Sequence, residues 1–271
     1  MHATRIALAL LLLAFRAPLP AAADDGAAVI KQMQAALEPE RSTLRSMTLS
    51  VTGTDGSSTP ITLGEARGVV AGTPRILAVV LAPPSLRGTA YLIQHGGPGT
   101  QDVQWVWLPA IGRVRKIVSP EAFTAFLNSD FNYADLGFVS IGSQFSSLGD
   151  AEHDGVKCQQ VQAVPKETWA YARTVTCVAK DSHLPVDRQI YDPANGLWKV
   201  QKWSRPETID GVPSIRKVSM EDVQMKSRTD IVVGAVRYGL PIPESLFDPA
   251  GLGKVADASI WGTLSVAAPP N

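Results

Sequence analysis

Charge is scarce in this sequence and one-sided charge is missing altogether. Only 18% of the 271 residues are charged, and 25 basic side chains balance 25 acidic ones. A chain so balanced has no broad cationic surface to neutralise a phosphate backbone, which argues against a nucleic-acid partner. Disorder over most of the chain is equally disfavoured, because 45% of the residues are hydrophobic and net charge is absent. Long apolar runs are confined to the start of the chain, and a spanning helix needs about 20 apolar residues. Histidine is limited to His2, His95, His153 and His183, which stand apart without metal-type spacing, so no metal or other cofactor is expected. What is plentiful is glycine (22) and proline (20), the residues of turns, and this points to many short elements and few long helices.

Residues 1–23 read as a secretory signal: Arg5 in a short leading region, an apolar stretch over 6–15, and Ala21-Ala22-Ala23 as small residues for cleavage. Removal would leave 23 basic against 25 acidic side chains on an exported, periplasmic chain. Export makes Cys158 and Cys177 informative. They lie 19 positions apart, on either side of a polar bend over 164–168, so a hairpin would bring the sulfurs together and an oxidising compartment would join them.

A helical stripe is visible early, in Ala27, Ile30, Met33, Leu37 and Leu44, with Pro39 as a break or restart. Thereafter β-rich runs recur between turns, at 48–52, 68–70, 75–81, 88–94, 103–108, 114–118, 157–164, 170–179, 186–191, 198–204, 215–223 and 229–237. Such spacing predicts an antiparallel meander, with short helical or looped structure over 119–136 between two groups of strands. Residues 76–81 and 105–108 are apolar without alternation, so both faces of those strands must be covered, by protein or by an apolar cavity. Residues 24–250 read as one domain, and 251–271 as a Gly-, Ala- and Pro-rich extension whose last residues are loose.

Catalytic patterns are thin. His95-Gly96-Gly97-Pro98-Gly99 has the letters of the oxyanion-hole loop in proline-aminopeptidase-like α/β-hydrolases, but the Gly-x-Ser-x-Gly elbow which that chemistry needs is missing around Ser140 and Ser143. A glycine-rich turn between two strands explains the loop without chemistry. The acidic groups Asp130/Asp135 and Asp150/Glu152/Asp154 read as solvated loop residues, and no catalytic residue is assigned.

One stretch carries more. Trp107-Leu108-Pro109-Ala110 is followed by the alternating Arg113 and Arg115, then by Ser129-Asp130-Phe131-Asn132-Tyr133-Ala134-Asp135-Leu136. Leu197-Trp198-Lys199-Val200, Asp210-Gly211-Val212-Pro213, Met220-Glu221-Asp222 and Arg237-Tyr238 through Phe247 follow in order. Together these resemble the LolA-like outer-membrane lipoprotein-sorting family over about residues 88–247. The resemblance implies a mainly β fold with a few helices: an open, curved antiparallel half-barrel with an N-terminal helix and short lid helices.

Its implied function is that of a periplasmic carrier, without catalysis, whose concave face holds acyl chains of a lipoprotein or free lipid during transfer across the envelope. The implied partners are an inner-membrane lipid exporter and an outer-membrane acceptor. Burial of about 0.8 kcal/mol per methylene supplies the affinity, and release requires a modest affinity or a lid that moves. On this reading Val80, Tyr91, Ile93, Trp105, Trp107, Trp198, Val200 and Val236 line the cavity, and Phe123, Phe126 and Phe131 belong to the lid. Strand parity is open, because a one-residue slip turns a side chain to the other face. Arg113 and Arg115 are expected either to pair with Asp130 or Asp135 and pin the lid, or to meet an anionic head group or partner. Two other readings stand beside the carrier: an exported serine hydrolase using residues 95–99, and a cargo-free envelope-assembly scaffold with a filled interior.

Overall fold

The protein is seen in a computed structural model that describes residues 23–37, 41–53, 56–96, 102–117, 124–133, 135, 142–166 and 170–264. The expected signal segment, apart from its last residue, lies outside the described residues, as do Phe123, Ser140 and Gly97 to Gly99.

A helix, α1 (Ala23–Leu37), precedes thirteen strands: β1 (Thr43–Thr52), β2 (Ser58–Val70), β3 (Thr73–Ala82), β4 (Ala90–Gln94), β5 (Val103–Leu108), β6 (Arg113–Ile117), β7 (Ser143–His153), β8 (Val156–Pro165), β9 (Arg173–Ala179), β10 (Pro185–Tyr191), β11 (Leu197–Ile209), β12 (Val212–Asp222) and β13 (Ser227–Tyr238). Leu44, placed by its spacing on the helical stripe, instead opens the first strand, where it is fully buried. All thirteen strands form one antiparallel sheet in the order β6-β5-β4-β3-β2-β1-β13-β12-β11-β10-β9-β8-β7. The chain starts mid-sheet and meanders outward to one edge at β6; β7 then forms the other edge, and the strands meander back until β13 pairs with β1. The two edges do not pair, so the sheet is open and curved, a half-barrel. Arg113, Arg115 and Lys116 are exposed along the β6 edge, and charge in that place discourages a further strand from adding.

Curvature gives the sheet an inner and an outer face, and alternation within each strand decides which side chains meet. Met47, Leu49, Leu63, Ala78, Tyr91, Ile93, Val106, Ile231 and Val233 form the inner core. Leu44, Ala66, Leu77, Val79, Ala90 and Leu92 point the other way, against Leu246, Phe247, Leu252, Val255, Trp261 and Leu264. These come from three short 3-10 segments, Glu244–Phe247, Pro249–Asp257 and Ser259–Thr263, and from Leu264 just after the last. Residues 251–264, read from sequence as part of an extension, therefore cover the outer face of β1 to β5. Gly253 is required there, since a Cβ at that position would stand 2.9 Å from the Trp107 ring.

The inner face of the same half is covered by Phe126, Phe131 and Tyr133. The lack of alternation in β3 and β4 thus has a plain cause: protein lies on both sides. At the other end of the sheet, Val29 and Ile30 of α1 pack on Val161 and Val178. Gly26 lets the helix approach β7, because a Cβ there would meet the Ser146 backbone at 2.9 Å.

Cys158 and Cys177 are joined as expected, with Cα atoms 5.5 Å apart on the paired strands β8 and β9. Both are fully buried. For this loop the chain-entropy account gives about 3 kcal/mol. The double substitution Cys158→Ala/Cys177→Ala is expected to lower stability by about that amount, read as a fall in the urea midpoint. An unchanged midpoint would show that the hairpin needs no cross-link.

Candidate functional site

Between α1 and the inner face of the sheet lies a cavity of about 500 Å³. That is within the range of roughly 300–1,000 Å³ typical of small-molecule sites. Ile30, Met33 and Leu37 of α1 form its roof, and Met47, Leu63, Ala78, Phe126, Ile231 and Val233 form much of the apolar floor. Trp203 and Tyr171 extend the wall toward β9 and β11. Period-two alternation in β1 and β13 turns these residues inward while their neighbours face the outer layer.

Half of the concavity is solid. Phe126 and Tyr133 descend onto Tyr91, with ring centroids 4.9 Å and 5.4 Å from it, and meet each other edge-on at 5.7 Å. Burial, then the Tyr133 hydroxyl beside it, pushes the Tyr91 phenol well above its ordinary pKa, so it stays neutral. Val80, Tyr91, Ile93, Phe131 and Val236 all belong to this buried inner core. Of the side chains expected at the cavity, Phe126 is on its wall.

Three of the expected side chains, Trp105, Trp107 and Val200, face the other side of the sheet. Trp105 and Trp107 are on the outer face, packed among the C-terminal segments, because they pair with Leu92 and Ala90 and share their side of the sheet. Val200 alternates with Lys199 and Gln201 and so also faces outward, half-buried. Trp198, at the end of β11, packs against the inner core beside the cavity and donates Nε1–H to Asp222 at 2.8 Å, with the Lys199 ammonium 4.4 Å from its ring centroid.

The acidic residues of the 129–135 stretch do pin the segment, but with other partners than Arg113 and Arg115. Asp130 accepts hydrogen bonds from Ser227 and from the Thr229 hydroxyl, the latter at 2.7 Å, while its backbone carbonyl accepts from Lys199 at 2.6 Å. Asp135 receives Arg188 at 3.2 Å and closes a tight loop with Asn132, each residue's backbone amide donating to the other's side-chain oxygen. Arg113 and Arg115 share one face, opposite Leu108 and Val106, at the exposed edge.

A polar cluster that the sequence did not announce interrupts the apolar wall. Glu65 of β2 is 2% exposed and takes Arg45 at 2.8 Å and Arg67 at 2.7 Å. Burial alone would raise its pKa, but the Arg45 and Arg67 guanidiniums overcome that and hold it at about 2. Arg188 adds a second group, donating to Gln201 at 2.5 Å with its guanidinium 5.9 Å from the Trp203 ring centroid. Alternation of Arg45 with Met47, and of Leu63, Glu65 and Arg67 along β2, was the available signal.

His95 also lines the cavity, with Nδ1 3.4 Å from Asp102, whose other oxygen accepts from the Gly96 amide at 2.8 Å. Ser143 borders the cavity too, but at the first position of an edge strand and not on the strand-to-helix elbow that activates a serine. On the outer face, His153 engages Asp187 and Gln160 beside Cys177, whose sulfur is committed to the disulfide.

Several solved structures share this architecture. A putative outer membrane lipoprotein-sorting protein domain from Vibrio parahaemolyticus superposes with a TM-score of 0.77 at 22% identity, covering 85% of this chain and 99% of that one. A DUF1329 family protein from Desulfovibrio piger gives 0.77 at 24% identity over 86% and 99%. A LolA superfamily protein from Nitrosomonas europaea gives 0.65 at 13% identity over 82% and 97%. At these identities the likeness establishes the fold. No curated protein matches the sequence. Residues 72–254 match a family described as "Uncharacterized protein". Since that is more than half of the chain, the protein belongs to this family, and its fold is the open half-barrel of the LolA-like lipoprotein-sorting proteins.

Proposed function

We propose that the protein is a carrier of the cell envelope, exported to the periplasm, that holds acyl chains of a lipid or lipoprotein without catalysis. The observation that carries this reading is the cavity of about 500 Å³ under α1, where Ile30, Met33 and Leu37 face Met47, Leu63, Ile231 and Val233 beside a charged cluster. An apolar cavity in a water-soluble setting stabilises hydrocarbon by roughly 25 cal/mol per Å² of apolar area removed from water. A cargo-free scaffold, by contrast, has no use for space that its own side chains leave unfilled. The Vibrio neighbour, named an outer membrane lipoprotein-sorting protein domain, supports the carrier reading. An inner-membrane exporter as donor and an outer-membrane acceptor are the partners such a role requires.

The test is lipid extraction and mass spectrometry on the purified full chain, followed by uptake of acyl chains from vesicles by delipidated protein. Co-purifying acyl species and uptake by the empty protein are expected. Absence of both would overturn the carrier, and labelling of Ser143 by a fluorophosphonate would favour the hydrolase.

A further inference from the structure

We propose that the wall formed by β9, β10 and β11 binds the carbonyl of an acylated ligand, an ester or an amide. Thr174, Thr176, Arg188 and Gln201 supply its hydrogen bonds, and the hydrocarbon runs on along Trp203 and Val218. The inference rests on the acyl-chain reading above and adds which end of the ligand is recognised. Thr176 of β9 pairs with Arg188 of β10, and Arg188 with Gln201 of β11, so the three stand in one row across the sheet. Thr174 is two residues from Thr176 and shares its face. All four line the cavity. Thr174, Thr176 and Gln201 are 6%, 4% and 2% exposed, almost out of reach of bulk water.

This row is rich in donors and short of acceptors. Arg188 donates to the Asp135 carboxylate at 3.2 Å and to the Gln201 side-chain oxygen at 2.5 Å. With its oxygen so engaged, Gln201 offers the cavity its NH2 group, which can only donate. That group and the hydroxyls of Thr174 and Thr176 have no hydrogen-bond partner among the described residues. The Nε of Arg188 is likewise buried without an acceptor among them. Buried donors left unpaired cost free energy that a ligand oxygen would recover. A carbonyl answers this need, because it accepts through two lone pairs and brings no donor of its own. Asp135 already lies against Arg188, so the incoming oxygen need carry no charge. Position supplies the rest. Trp203 is two residues beyond Gln201 on β11, Val218 faces it on β12, and Ile231 faces Val218 on β13. All three line the cavity, so an apolar track begins beside the donors, as the carbons after a carbonyl require.

The experiment titrates the delipidated full chain with palmitoyl-lysophosphatidylcholine and with its hexadecyl ether analogue, which share chain length and head group and differ at the carbonyl. The ester is expected to bind about tenfold more tightly, the scale of one or two neutral hydrogen bonds. Thr174→Val/Thr176→Val should remove most of that preference by weakening the ester and sparing the ether, and Gln201→Met should reduce it. The threonine hydroxyls bond to nothing in the empty protein, so the urea midpoint of the double variant should not fall, and the wild-type comparison stands whatever a variant does. A capped N-palmitoyl dipeptide separates the two sources of the carbonyl. Tighter binding of the dipeptide than of the ester points to the acylated N-terminus of a protein, and the reverse to a glycerolipid. Equal binding of ester and ether by the wild type would overturn the carbonyl site and leave the carrier standing. A preference undiminished in both variants would overturn its placing on this wall. Failure of every ligand to bind would remove the carrier reading itself.

Discussion

Phe126→Ala is expected to cost about 3–5 kcal/mol of folding stability, the range for deleting a fully buried phenyl ring. The ring is 1% exposed, lies 4.9 Å from Tyr91 and 5.7 Å from Tyr133 by centroid, and forms part of the cavity wall. Its backbone is fixed independently, by a 2.8 Å bond from the Phe126 amide to the Phe131 carbonyl and by the Asp130 contacts to β13. The segment therefore cannot settle into the space that the ring leaves, and the vacated volume adds to the cavity. Urea denaturation with unchanged slope would read the loss, and Phe126→Leu should retain most of the stability. A loss under about 1 kcal/mol would mean that residues 124–135 rest on the sheet without packing into it.

Anchoring of that segment marks where sequence reasoning reached its limit. The stretch from Ser129 to Asp135 was visible as a motif, and its aromatic and acidic residues do divide the work of filling and fastening. Its partners were not visible. Arg113 and Arg115 are nearer in sequence, but Arg188, Lys199, Ser227 and Thr229 arrive because the returning half of the meander brings β10, β11 and β13 beneath the segment. Long-range partner choice is a property of strand order, and the order of this sheet begins in the middle, which no local pattern encodes.

Strands themselves were legible wherever apolar residues recur between turns: each of the twelve β-rich runs overlaps one of the thirteen strands. The exception is β7, Ser-Gln-Phe-Ser-Ser-Leu-Gly-Asp-Ala-Glu-His, a polar edge strand with little to bury. Parity failed at Trp105 and Trp107 for the opposite reason. Apolar residues on both sides of a strand leave nothing to say which side is inner. The 3-10 segments after Tyr238 were missed because the stretch after Pro249 read only as a Gly-, Ala- and Pro-rich extension, whereas Leu252, Val255 and Trp261 are buried there. The half-barrel came through the resemblance, and the cavity wall followed only from the register.

Acid should expose the role of Glu65. Its carboxyl titrates near 4.5 when unfolded and at about 2 in the folded protein, held down by Arg45 and Arg67 against the effect of burial. A depressed folded pKa contributes stability that is fully present above the unfolded value and is lost as pH falls through the folded one. Between pH 4.5 and pH 2 this one group should therefore release on the order of 3 kcal/mol. Other carboxylates titrate in the same window, so the informative quantity is the difference between wild type and Glu65→Gln. At pH 7 the variant should be less stable by about 3 kcal/mol, because two arginines in the cavity wall lose their shared anion. Near pH 2 the two proteins should converge. Urea midpoints measured at pH 7, 4 and 2 test this directly. Parallel curves, with a constant gap at every pH, would show that Glu65 acts in this wall through shape and hydrogen bonding and not through its charge.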